Sequence, residues 1–273
     1  GKLHNEMKMY DEAIDYFQSQ GFQFLRCADL LSDLPSHGRF VHLSFDDGYA
    51  NNLSVLPVLE QFQVPATFFL TTGHIESGDA FWWDAVYHAG VKCGHGRKQI
   101  DQQQLQIKNQ SPDASVQSLK VILGNGAIRP QGNGDRPMTV DEVKQMATHH
   151  WVEIGNHSHD HYALTRCAPE VAIQQITRAQ EWLGDIVGQP ATAFAYPYGH
   201  WDEAAIQAVA ATGIELAVGT HRGRTRIPIE DHERRSIGRY GLKTGDSVNG
   251  QCRMMRSPWS AFAFAHKVLI NKH

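Results

Sequence analysis

Cysteine is scarce and unpaired: Cys27, Cys93, Cys167 and Cys252 stand singly, with no Cys-x-x-Cys and no tight spacing. A disulfide framework is therefore not expected, and the thiols read as reduced and structural. Long apolar runs are missing as well. The most apolar stretch, residues 258–270 (PWSAFAFAHKVLI), is too short to span a bilayer and holds His266 and Lys267, so it reads as a packed terminal helix. Positive charge is not in excess. Twenty-five Lys and Arg stand against 29 Asp and Glu, a net charge of −4, and no basic run interleaves with aromatics. That removes the electrostatic case for a nucleic-acid partner. The residues from Gly1 to Met7 contain no apolar leader stretch. Together with the unpaired thiols this gives a cytoplasmic expectation, and a removed leader or anchor would make it periplasmic or extracellular. There is no fixed-period repeat, no low-complexity linker and no signal for oligomeric state.

What remains is ordinary globular material, 273 residues with 41% hydrophobic and 20% charged side chains. That length buries a large core as one α/β domain or two smaller ones. Met7, Tyr10, Ile14 and Phe17 fall at helical spacing and Gly21 stops the helix. Strand-like runs at 22–26, 40–45 and 64–70 alternate with helical patterns at 28–34 and 51–62. Further on, helices are expected at 139–149, 169–187 and 203–211, the first with Thr139 and Glu142 as a capping box. The strands expected beside them are 151–154, 193–196, 214–219 and 235–240. Strand and helix in alternation imply a parallel sheet covered by helices. Residues 73–137 break the rhythm and read as an insertion of one or two helices within a single domain, 1–273. Its glutamine-rich run at 99–110 reads as a solvated helix face.

The chemistry starts at Ser44-Phe45-Asp46-Asp47-Gly48, where a short strand stops on two adjacent carboxylates. Each raises the other's pKa unless positive charge lies beside them, and a metal cation is the simplest such neighbour. Sixteen histidines make a metal worth testing. About a hundred residues on, His157-Ser158-His159-Asp160-His161 offers two imidazoles four apart, which face one ion if the backbone turns tightly, with Ser158 holding that turn. Asp47, His157 and His161 would make a three-ligand site with room for water, the way catalytic zinc is held. Asp46 is then free to act as a base. His159 points elsewhere, as a surface residue or a support behind the ligands. Asp160 either orients a ligand imidazole or is a solvated acid. A third motif, Tyr196-Pro197-Tyr198-Gly199, is either a packed aromatic turn or a pocket wall whose Tyr198 N–H stabilises an oxyanion. Trp82 and Trp83 are either a platform for a sugar ring or core residues.

In this order the three motifs resemble the polysaccharide deacetylase family, the NodB-homology or carbohydrate esterase family four enzymes, over roughly residues 38–220. The resemblance implies a distorted (β/α) barrel with fewer than eight repeats and a divalent metal, usually zinc. The reaction it implies is hydrolysis of an N-acyl group, mostly N-acetyl, from an amino sugar of a glycan or glycan precursor. By position it makes Asp46 the base, Asp47, His157 and His161 the metal ligands, and Tyr198 the oxyanion-hole amide. The motif departs from the family in two places. Where the family carries an arginine two residues before the proline, this chain has Ala195, and Arg239 is either its replacement from a later strand or a surface arginine. The family's late Leu-x-His, source of the acid that protonates the leaving amine, has no clear counterpart. His221 and His266 are the remaining candidates. Two other readings stay open: a metal-dependent amidohydrolase on a non-sugar amide, and a silent carbohydrate-binding relative.

Overall fold

The computed structural model describes residues 2–124 and 128–256, so the tail at 258–270 and His266 lie outside the described residues. The chain opens with α1 (Lys2–Ser19) and β1 (Gln23–Leu25), then returns through β2 (Phe40–His42) and β3 (Ser44–Phe45). Leu43 alone separates β2 from β3, and its carbonyl accepts a hydrogen bond from Thr67 N. The two are therefore one strand kinked at Leu43, as the apolar run at 40–45 suggested. After α2 (Leu56–Phe62) comes β4 (Ala66–Leu70), every residue of which is buried. An unbroken buried run of Ala, Thr, Phe and Leu is what a parallel strand covered on both faces requires.

Between β4 and the next strand the chain builds α3 (Thr72–Ser77), α4 (Trp82–Lys92), α5 (Arg97–Lys108), α6 (Pro112–Leu123) and α7 (Val140–Ala147). The segment expected to hold one or two helices thus contributes four, α3 to α6. α7 starts at Thr139 with the expected capping box. Then follow β5 (Val152–Asn156), α8 (Pro169–Val187), β6 (Ala193–Ala195), α9 (Glu203–Ala211), β7 (Leu216–Val218) and α10 (Val248–Arg256).

All strand pairings are parallel: β1 with β2, and β3-β4-β5-β6-β7 in sequence order. Across the β2–β3 kink these join into one curled sheet, a half-barrel. The strand expected at 235–240 is reduced to a single parallel bridge between Ile237 and Val218. Thr220 N bonds to Gly199 O and Arg239 N to His221 O, so the chain past Ile237 still tracks the barrel rim.

Successive residues of a strand face opposite ways, and β4 shows what that does. Phe68 packs outward with Phe45, Leu59, Val143 and Leu183 beneath α2, α7 and α8. Phe69 points inward among Ala193, Ala195, Leu216 and Val218. The Phe69 ring lies against Gly155 of β5, where an added Cβ would stand 2.3 Å from it. The glycine is thus a packing requirement, and it fixes how closely β4 and β5 carry their C-terminal ends together. Gly155→Val should lower unfolding free energy by on the order of 1–3 kcal/mol through overpacking, measured by urea denaturation.

Candidate active site

The residues singled out by chemistry collect at the C-terminal ends of the parallel strands, where open and closed α/β sheets place their sites. Asp46 and Asp47 leave β3, His157 leaves β5, Tyr198 follows β6 and Thr220 follows β7. They line one cleft of about 510 Å³.

Asp47, His157 and His161 converge. Nε2 of His157 is 3.3 Å, and Nε2 of His161 3.2 Å, from the same Asp47 oxygen. His157 Nδ1 lies 2.7 Å from the Ala195 carbonyl, which can only accept. The Nδ1 proton is therefore committed there, and Nε2 of the neutral ring turns a lone pair toward a carboxylate oxygen. Two electron-rich atoms at that distance need a cation between them, either a proton or a metal. The donor set, one carboxylate and two buried imidazoles within 4.8 Å of one another, fits a divalent ion with an open position. Burial alone would raise the Asp47 pKa, but its hydrogen bonds to the two imidazoles hold it below the usual carboxylate range.

The backbone is bent to make this convergence. Among the described residues five non-glycines have positive φ, and four are here: Asp47, Ser158, His161 and Tyr198. Side chains resist this left-handed region, so such residues persist where their surroundings over-determine them. At the histidine motif the determinant is Asn156. Its buried side chain accepts from Ser158 N at 2.8 Å and donates to Ile176 O and Gln180 Oε1. Ser158, expected to hold the turn itself, has a buried hydroxyl with no hydrogen-bond partner among the described residues. The pattern Asn-His-Ser carried this signal, because asparagine side chains bind backbone two residues on.

His159 turns away as expected but is buried rather than at the surface, held by Thr72 Oγ1 at 2.9 Å from its Nδ1. Asp160 does not orient a ligand imidazole. It exchanges two hydrogen bonds with Gln175, one from its own backbone N–H and one to its carboxylate.

Arg239 is not a surface arginine but reaches the acid pair. Its guanidinium donates to both Asp46 oxygens, at 2.8 and 2.7 Å, and further to Ser44 Oγ and Gly219 O. Burial would raise the Asp46 pKa, and the paired guanidinium outweighs it, keeping Asp46 a carboxylate. His157 is also among the groups that lower it. His221 is placed elsewhere: it is exposed, accepts from Trp201 Nε1 at 3.1 Å, and does not line the cleft.

The aromatic residues divide. Tyr196 is fully buried, bonds Arg235 O and packs on Phe194, and neither it nor Pro197 reaches the cleft, contrary to their expected role as substrate contacts. Tyr198, Trp82 and Trp83 do line it. Trp82 Nε1 donates to Tyr198 OH, Trp83 Nε1 donates to Tyr49 OH, and both Trp83 and Tyr198 stand edge-on to His161. The glutamine-rich helix α5 also faces the site. Asp101, Gln104, Leu105 and Lys108, spaced i, i+3, i+4 and i+7, form one stripe along the cleft wall. The expected solvated face is only the far side of this helix.

A second polar cluster sits deeper in the barrel. Cys27 Sγ, His42 Nε2, Thr67 Oγ1 and Glu153 follow one another in a hydrogen-bonded row. Both Glu153 oxygens are filled by donors, from Cys27 N, Ala28 N, Thr67 and Thr192. Burial, aided by the charge of Arg239, pushes His42 down to about 3, so it stays neutral. This row ties β1, β2, β4 and β5 together from within.

With this geometry in view, comparison with known proteins is direct. A family model described as polysaccharide deacetylase matches residues 33–217, more than half of the chain, and the chain belongs to that family. YxkH of Bacillus subtilis (strain 168), a protein named for the same family, is 20% identical over 221 residues. The match covers 79% of this chain but only 58% of that relative, so the chain spans under two thirds of its length. Among solved structures, the Streptococcus pyogenes deacetylase PplD, determined with acetate, superposes with a TM-score of 0.62 at 18% identity, over 92% of this chain and 87% of its own. IcaB from Ammonifex degensii gives 0.59 at 19% identity, over 92% and 89%. Likeness at that identity speaks for the shared fold.

Asn156→Ala removes a buried side chain that makes three hydrogen bonds and leaves Ser158 N without its acceptor. It should cost about 1–3 kcal/mol in stability, read from chemical denaturation of metal-free protein.

Proposed function

We propose that this chain is a divalent-metal-dependent N-deacylase that removes an acyl group, acetyl first among candidates, from an amino sugar of a glycan. The observation that carries this reading is the pairing of two adjacent carboxylates with two different partners. Asp47 shares its oxygen with His157 and His161, while Asp46 is gripped by Arg239 and stays outside that group. A site that only bound metal would have no use for a second, separately oriented carboxylate beside it.

Asp47, His157 and His161 would hold the ion, with zinc the first choice for a set of one carboxylate and two imidazoles. When bound, such an ion supplies Lewis acidity for the acyl carbonyl and acidifies water. The protein's own residues do the rest. Asp46, kept ionised and fixed in rotation by Arg239, accepts a proton from the attacking water. The Tyr198 backbone N–H, on a residue held in the left-handed region, serves as donor to the oxyanion. Trp82 offers a half-buried ring on the cleft wall for the C–H face of a sugar.

The test is release of acetate from N-acetylglucosamine oligosaccharides and from a panel of other N-acyl amino sugars. Wild type should release it, chelator should abolish release, and added Zn²⁺ should restore it. Asp46→Asn should lower kcat by at least about 10²-fold, within the range ascribed to a positioned base, while still binding one equivalent of Zn²⁺ by calorimetry. Stoichiometric metal without acyl release from any sugar would point to a non-sugar amide or to a silent binder.

Arg239→Lys should also be severely impaired, by tenfold or more in kcat, because an ammonium cannot grip both Asp46 oxygens at once. An unchanged kcat in this variant would remove Arg239 from the mechanism.

A further inference from the structure

Hydrolysis of an amide needs a proton on the departing nitrogen, and the cleft residues given roles so far do not provide one. Asp46 and Asp47 are acceptors, and His157 and His161 are grouped with Asp47. His221 bonds Trp201 away from the cleft. On the cleft wall among the described residues, the remaining groups with a proton to give are Lys108 and the hydroxyls of Tyr198 and Thr220, the last an alcohol too weakly acidic for the task.

We infer that Lys108, at the end of α5, is the general acid that protonates the leaving amine, an assignment that rests on the deacylase reading above. Its Nζ lies 4.6 Å from the centroid of the Tyr198 ring, and that ring stands edge-on to His161 at 4.6 Å. Lys108 therefore stands on the His161 side of the cleft, with one aromatic ring between its ammonium and that imidazole. Base and acid thus line the same cleft.

The surroundings suit an acid that must lose and regain a proton. No carboxylate ion-pairs with Lys108 among the described residues, and its cation faces an aromatic ring instead. Burial lowers its pKa from the ordinary lysine value, which makes the ammonium a better proton donor than an exposed lysine. Nearby positive charge comes from Arg166: burial first, and then the charges of Lys108 and Arg166, lower the His200 pKa, and Asp101 stands two turns earlier on α5. The Tyr198 hydroxyl is the poorer donor: burial raises its pKa, and it already accepts from Trp82.

The step balances without any further reactant. Water gives a proton to Asp46 and its oxygen to the acyl carbon. The C–N bond then breaks, and the nitrogen takes a proton from the Lys108 ammonium. The carboxylic acid of Asp46 returns its proton through solvent to Lys108, so the net change is amide plus water to carboxylic acid plus amine.

Two substrates separate this role from binding or folding: the N-acetyl amino sugar, whose nitrogen must be protonated, and p-nitrophenyl acetate, whose phenolate leaves unaided. Lys108→Met should lower kcat for the amide by about 10²-fold or more and leave the ester rate within twofold, and the kcat decline at high pH expected of wild type should vanish. Lys108→Arg keeps the charge but cannot release a proton, so it should not rescue the amide. Equal loss on both substrates, a change confined to KM, full activity of Lys108→Met, or rescue by arginine would each overturn the assignment. Wild type inactive on both substrates would instead sink the deacylase reading beneath it.

Discussion

Two carboxylates on neighbouring residues at the mouth of a buried sheet repel each other and want water. The site resolves this by giving each a different partner: a guanidinium for Asp46, and a pair of imidazoles with room for a cation for Asp47. Every other feature of the cleft follows from keeping those partners in place. Asp47 adopts a left-handed backbone, so its side chain and that of Asp46 take separate directions. Asn156 bends the histidine segment so that two imidazoles reach one oxygen. Below them, the row from Cys27 to Glu153 fixes the strands that carry both motifs, with its only anionic group saturated by donors.

The part of the chain least like a regular strand–helix repeat supplies much of the cleft. α4 brings Trp82 and Trp83, and α5 brings its stripe from Asp101 to Lys108. Neither helix contributes to the sheet, so their sequences are free of the constraints that the barrel imposes on Phe69 or Gly155. The barrel end thus holds the carboxylates and imidazoles, and helices outside the sheet wall the cleft above them.

The sequence was most readable where one physical demand dominates. The unbroken buried run of β4, the capping box at Thr139 and the acid pair after a hydrophobic strand each have a local cause, and each stands where expected. What was less readable depended on long-range neighbours. The glutamines of α5 show nothing of the helix's position, because a polar helix face reads alike whether it meets bulk water or a water-filled cleft. Tyr196 and Tyr198 are two residues apart in one motif, yet one is sealed in the core and the other lines the site. A positive φ at Tyr198, which the flanking proline and glycine do not specify alone, sends them opposite ways. The helices between β4 and α7 were undercounted because short amphipathic segments with polar spacers resemble loops.

Arg239 shows why a motif can be incomplete in sequence and complete in space. Gripping a carboxylate by both oxygens requires two donors in one plane, and places no demand on where along the chain they arise. The half-barrel supplies the connection. Ile237 bridges to Val218 and extends the curl past β7, and two residues later the guanidinium reaches back 193 positions to Asp46 while also bonding Ser44 and Gly219. One side chain thus spans the gap between the two ends of the curled sheet. A substitution of Ala195 by arginine would not improve on this. Ala195 lies inside the barrel packed with Phe69, and its carbonyl already fixes His157, so the small side chain there and the distant arginine are two halves of one arrangement.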